Sequence, residues 1–246
     1  MQHEKIIYDD IFNIISEKRQ NSKGPVLGLV RIFENGILNT DQTEDGWLTN
    51  MTIGTGRQFA AQKLFGLEKE LPLTSASSLI NPSNFKIDSF GIGKGGSTIN
   101  LSGAVTIISP SVCDLALNSP LSINNLAKDD SSGNKNVVKM IKSSLASTSP
   151  VGNIELISSS SSEYVACPST YYTIVKCTCI VGPNEPMGLD SILDTGKVEK
   201  VDEAMLFATS NEISEAAVVI PFAHICFAPK YIEPESILTI EWNVIF

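Results

Sequence analysis

The chain has 246 residues and a mass of 26.5 kDa, with 42% hydrophobic residues, 18% charged residues and a formal charge of −9. That length suits one large domain or two small ones, and the negative balance excludes the electrostatic footprint of general nucleic-acid or anionic-membrane binding. No apolar run reaches the roughly 18 residues of a membrane span, and Met1–Lys5 lacks the charged-then-apolar order of a secretion signal, so the sequence reads as a soluble protein used without export.

Charged content is low against an average of about 25%. Ser, Thr, Asn and Gly take up the difference, which favours strands and turns over long helices. Residues 4–19 predict a short amphipathic helix, with Ile6, Ile7, Phe12, Ile14 and Ile15 among acids and lysines. Asn21-Ser22-Lys23-Gly24-Pro25 then breaks the chain. Residues 1–23 therefore read as an N-terminal docking arm, with Ile6, Ile7, Phe12 and Ile15 as its assembly face. Residues 24–246 read as a single β domain.

Leu27 to Phe33 predicts a strand, Asn35-Gly36 a tight hairpin turn, and Ile37-Leu38 the return strand. Residues 57–65 predict a helix ended by Gly66, with Ala60, Ala61, Leu64 and Phe65 as its buried stripe. Phe85 to Phe90 alternates as a strand and runs into Gly91-Ile92-Gly93-Lys94-Gly95-Gly96, and Gly103 to Ile108 predicts another strand. Residues 128–136 read as a loop. Residues 137–146 predict a short helix with Lys135, Lys139 and Lys142 along a solvated side, opposite Val138, Ile141 and Leu145. Five serines, 158–162, form a low-complexity surface segment.

Tyr171 to Val181 is the longest strand candidate, and 203–208, 218–227 and 237–246 complete the set. In the last of these, Leu238, Ile240, Trp242, Val244 and Phe246 alternate with Thr239, Glu241, Asn243 and Ile245. A period of two places the first group on one buried face. These five residues read as the core of a closing strand. No repeat and no linker divides the chain.

Gly91, Gly93 and Gly96 match the spacing of a dinucleotide-binding loop, which needs a following helix to meet the pyrophosphate. Ser97 to Ile108 is β-branched and opens no helix, and Gly95 stands where a Walker loop needs Ser or Thr. Gly91, Gly93, Gly95 and Gly96 therefore read as a structural turn between strands. His224 and Cys226 share a strand face and form a nominal base and nucleophile. Two such positions lie about 7 Å apart along a strand, too far for a direct hydrogen bond. A hydrogen-bonded core or interface histidine is the favoured reading.

The cysteines (113, 167, 177, 179 and 226) are odd in number and scattered. Cys177 and Cys179 share a strand face, where i and i+2 cannot easily close a disulfide. One Cys-x-Cys without a second pair or a nearby His is not the spacing of a zinc finger. Buried free thiols are favoured over metal or redox chemistry, in keeping with a reducing cytoplasm. Asp9-Asp10, Glu44-Asp45 and Asp129-Asp130 lack the ligand order of a calcium loop and read as solvated surface. No catalytic residues, cofactor or metal are expected.

One pattern spans most of the chain. It comprises Val30 to Gly36, then Asn50, Met51, Gly54, Gly56, Arg57, Ala60, Leu64 and Gly66, and then Ile87, Phe90, Gly91, Ile92, Gly93, Gly95 and Gly96. The run at 171–181, Asp202 to Phe207, Phe222-Ala223-His224, Phe227 and Leu238 to Phe246 follow in that order. This resembles a diffuse group of tailed-bacteriophage virion proteins that share a Gly-x-Gly-Gly loop, a Glu-x-x-Leu-Phe stretch and a C-terminal strand centred on Trp. The Ser-rich stretch at 141–170 has no counterpart in that pattern.

The resemblance implies a mainly β protein, an antiparallel jelly-roll-like β-sandwich with a short N-terminal helix and one or two small helices. It implies a non-enzymatic structural subunit in the neck, collar, tail or baseplate, assembled in the host bacterial cytoplasm. Its partners would be itself and other virion proteins, without nucleic acid, membrane or small-molecule substrate. The competing expectation is a receptor- or glycan-binding module at a tail tip, with Tyr164, Tyr171 and Tyr172 stacking on sugars.

Overall fold

The computed structural model describes residues 27–65, 85–121, 123, 138–142, 150–158, 173–183, 185, 198–210 and 219–245. Phe246, Lys135, residues 1–23 with Ile6, Ile7, Phe12 and Ile15, and the loop at 128–136 lie outside them.

The protein is mainly β. The first sheet runs in the order β2 (Ile37–Leu38), β1 (Leu27–Glu34), β13 (Leu238–Ile245), β10 (Thr173–Val181), β9 (Asn153–Ser158), with β3 (Leu48–Thr49) also pairing with β1. The second runs β4 (Met51–Thr52), β12 (Val219–Ile232), β11 (Glu199–Ser210), β5 (Phe85–Gly93), β8 (Lys139–Met140). β6 (Ser97–Ile99) and β7 (Val105–Ile107) form a two-stranded sheet. All these pairings are antiparallel.

Register explains the core. Val30, Trp242 and Cys177 stand side by side across β1, β13 and β10, with Ile32, Ile240 and Cys179 in the next such row. In the second sheet Phe90, Leu206 and Ala223 form one row, and Ile92, Ala204 and Ile225 another. All twelve belong to a single cluster of buried residues fed by both sheets. Apolar side chains at alternate positions of three neighbouring strands remove a continuous surface from water, the main favourable term in folding.

Leu238, Ile240, Trp242 and Val244 are buried, and so are Asn243 and Ile245. β13 lies in the middle of its sheet, between β1 and β10, and is not a closing strand in the sense of an edge. A strand flanked on both sides, with both faces partly covered, loses strict alternation towards its end. At the other end of β1 the turn at Asn35-Gly36 has φ of 50° and 79°, the left-handed pair a two-residue hairpin needs.

Two expectations about helices fail. α1 (Gly54–Phe65) is a helix, but its buried residues are Gly56, Phe59 and Gln62, whereas Leu64 and Phe65 are exposed. Gly56 sits against the Phe222 backbone where a Cβ would clash, so close approach to β12 selects the face and overrides the apolar stripe. Residues 139–140 form β8 and 141–142 a turn, not a helix, because the segment pairs with Ser89 and Phe90 of β5. Lys139 is consequently buried, while Lys142 remains exposed.

Candidate functional site

β11 and β12 expose alternate residues to opposite faces of the second sheet. Ala204, Leu206, Ala223 and Ile225 enter the main core, which sends Glu203, Met205, His224 and Cys226 to the other face. That face is roofed by residues 111–121, with Leu117 packed on Met205 and Phe207. Glu203 stands directly across the strand pair from Cys226, and Met205 across from His224. The register breaks beside Pro221 and Pro229, neither of which can donate to the ladder, so β12 is irregular on both sides of His224.

His224 is fully buried and has a partner on each ring nitrogen. Nδ1 lies 2.7 Å from Asp114 Oδ2, and Nε2 lies 3.2 Å from Glu203 Oε2. Cys226 Sγ is 3.7 Å from the same Nε2. The separation expected along the strand is thus closed by side chains that lean together, and the two residues are in hydrogen-bond contact. Glu203 is held by three backbone groups as well. The Gly95 and Ser119 N–H groups donate to Oε1 at 3.0 and 2.8 Å, and the Asn118 N–H donates to Oε2 at 3.0 Å.

Charge follows from these bonds. Burial alone would lower the His224 pKa, but the contacts with Cys226, Glu203 and Asp114 outweigh it and raise the pKa to about 10. Burial would raise that of Glu203, but His224 and the N–H groups of Ser119, Asn118 and Gly95 outweigh it and lower it. Both shifts favour the charged forms of His224 and Glu203, which face each other across 3.2 Å.

The glycine-rich turn serves this cluster. Gly93 closes β5, and β6 follows the turn where a nucleotide loop would need a helix. Gly95 donates to Glu203, and the Gly96 N–H donates to Asp202 Oδ1 at 2.8 Å. Asp202 Oδ2 also accepts from Ser97 Oγ and pairs with Lys200, both at 2.5 Å. Amides that could cradle a phosphate are thus directed at the protein's own carboxylates. A Cβ at Gly93 or Gly95 would meet Glu203 and residues 118–119, and one at Gly96 would meet the Asp202 backbone. Gly91, also in β5, stands opposite Met205.

Cys226, His224 and Asp114 have the connectivity of a nucleophile, a base and an orienting acid. Cys226 is only 6% exposed and His224 is not exposed at all, so a substrate carbonyl has no approach to the sulfur in this arrangement. The donor set Glu203, His224 and Cys226 is instead one that suits a metal ion, with its three ligand atoms within 4.8 Å of one another.

Cys177, Cys179 and Cys226 are buried free thiols and Cys113 is an exposed one. Cys167, Tyr164, Tyr171 and Tyr172 lie outside the described residues. A groove of about 290 Å3 beside β1 and β2 is lined by residues including Ile32, Glu34, Leu38 and Lys230, with no aromatic ring for a sugar to stack on among its described residues. No helix among the described residues is long and apolar enough to cross a membrane.

Sequence reading found His224 and Cys226 but missed Asp114 and Glu203. Asp114 lies 110 positions from His224, and Glu203 reaches it only through strand pairing. The available signal was the pair of acids at 202–203 running directly into the apolar stretch Ala204–Ala208. No protein-family model, curated protein or solved structure matches this chain.

Proposed function

We propose that the chain is a non-enzymatic structural subunit of a tailed-bacteriophage particle, assembling with copies of itself and with other virion proteins in the neck, tail or baseplate. In this reading the two larger sheets are the halves of a jelly-roll-like β-sandwich, and residues 1–23 are a docking arm. The order of motifs along the sequence supports the assignment to a phage particle.

The observation that carries the assembly role is the apolar surface of the β6–β7 hairpin. Ile99 and Val105 are cross-strand partners, 48% and 44% exposed, and Leu101 in the connecting turn is fully exposed. Ile108 and Val112 extend the exposed apolar series beyond β7. Single exposed apolar residues are ordinary, but a contiguous group on one hairpin marks an interaction surface. Subunits that repeat in a ring or array bury such surfaces against each other.

Light scattering coupled to size exclusion tests this. A defined oligomer is expected, and Leu101→Glu with Val105→Lys should shift it towards monomer without lowering the unfolding midpoint. A wild-type chain that stays monomeric at every accessible concentration would overturn self-assembly.

A further inference from the structure

We infer that Glu203, His224 and Cys226 form a zinc-binding site on the face of the second sheet turned away from the main core. Its ligand atoms are Oε2, Nε2 and Sγ. The inference is independent of the assembly role.

The first support is metric. Nε2 lies 3.2 Å from Oε2 and 3.7 Å from Sγ, and all three atoms fall within 4.8 Å of one another. Zinc bonds of roughly 2.0–2.1 Å to nitrogen or oxygen and roughly 2.3 Å to sulfur, set tetrahedrally, place neighbouring ligand atoms roughly 3.3–3.6 Å apart. The two spacings from Nε2 are already close to these values, and with Oε2 and Sγ within 4.8 Å of each other an ion enters once those two side chains close on it.

The second support is the shell around the ligands. Asp114 lies 2.7 Å from His224 Nδ1 and holds the proton there, so that the Nε2 proton is the one released and Nε2 is the nitrogen offered to a metal. Backbone N–H groups hold both oxygens of Glu203, two on Oε1 and that of Asn118 on Oε2, which fixes the carboxylate with Oε2 against His224. Both devices, a carboxylate behind the imidazole and hydrogen bonds behind the ligating carboxylate, are those that orient ligands in metalloproteins.

The third is cost. Three ionisable groups on adjacent strands, none more than 6% exposed, are expensive to bury, and well-packed apolar residues would serve stability as well or better. A bound cation compensates the two anions that remain when Glu203 is ionised and Cys226 is a thiolate. The donor set selects the ion, since a thiolate with an imidazole suits borderline-soft zinc and disfavours magnesium and calcium. Binding releases the Nε2 and Sγ protons to solvent and leaves the fourth position to water. The ion ties β11 to β12 beneath the 111–121 segment.

The full chain, stripped with a chelator and re-equilibrated with Zn2+, should retain about one equivalent by elemental mass spectrometry. Co2+ in its place should give a thiolate-to-metal charge-transfer band. Cys226→Ser should abolish the band, and Asp114→Asn should weaken Zn2+ binding about 10- to 100-fold. Cys113→Ser, at the exposed neighbouring thiol, should change neither. A wild-type chain with no charge-transfer band, or a band that persists in Cys226→Ser, would overturn the site. Both readouts hold even where Glu203→Gln or His224→Ala fails to fold.

Discussion

Lys139 Nζ lies 2.6 Å from Glu185 Oε2, with both side chains almost wholly withdrawn from solvent at 3% and 2% exposure. The ammonium also donates to the Ile180 carbonyl at 2.9 Å, and the same carboxylate oxygen accepts the Gly182 N–H. The pair therefore fastens β8 to the end of β10 and the turn beyond it. Removing one member strands the other charge in the interior. Lys139→Met should cost about 3–5 kcal/mol, and Lys139→Met with Glu185→Leu should recover most of that loss. Denaturant unfolding of the single and double variants measures both. A single variant as stable as the wild type would mean the pair is not buried.

Lys139 also marks where sequence reading gave out. Lys135, Lys139 and Lys142 have helical spacing, yet pairing of Lys139 with Phe90 places the segment in a sheet, a contact local pattern cannot report. The long strands were legible because β-branched and aromatic residues alternate within them, and the Asn35-Gly36 turn because few dipeptides adopt its dihedrals. The buried face of α1 was not, because a glycine contact at Gly56 decided it. At the site, His224 and Cys226 were visible on one strand, but their contact depends on side-chain lean. Glu203 and Asp114 arrive only through tertiary pairing.

Two glycines separate backbone strain from steric fit. Gly36 has φ of 79° with open space where a Cβ would go, so Gly36→Ala should cost about 1 kcal/mol of left-handed strain. At Gly96 a Cβ would strike the Asp202 carbonyl and displace the N–H bonded to the Asp202 carboxylate. Gly96→Ala should cost about 3 kcal/mol or more. Equal losses in thermal unfolding would contradict the close packing of the turn on β11.

Asp88 gives a pH dependence of predictable sign. It occupies the irregularity in the β5–β11 pairing, where Oδ1 accepts from Thr209 Oγ1 and Oδ2 has only the exposed Lys86 ammonium, 3.6 Å away. Burial raises its pKa above the ordinary carboxylate value, against the lowering effects of Thr209 and Lys86. A raised carboxyl contributes stability when protonated, below the unfolded value, and loses it as pH rises through the folded value. At neutral pH the ionised group is therefore a cost. Asp88→Asn keeps the acceptor for Thr209 and should unfold at a higher midpoint than wild type at neutral pH. The gap should close as pH falls below the ordinary carboxylate range. A gap that widens on acidification would reverse the assignment.

The thiols differ in exposure and in acidity, and alkylation should resolve them. Cys177 and Cys179 sit in the core rows beside Trp242 and Ile240. Burial pushes Cys177 up to about 12. For Cys179, burial and then the neighbouring Cys177 push it well above the ordinary thiol value, against the lowering effect of Lys139. The thiolate is the reactive species, so neither reacts until β10 opens. Cys113 is exposed and needs no opening. Under native, mildly alkaline conditions iodoacetamide should label Cys113 first, with Cys177 and Cys179 labelled only after denaturant is added, as read by peptide mass mapping. Native labelling of Cys177 at the rate of Cys113 would place β10 at an open edge and undo the register that carries the core.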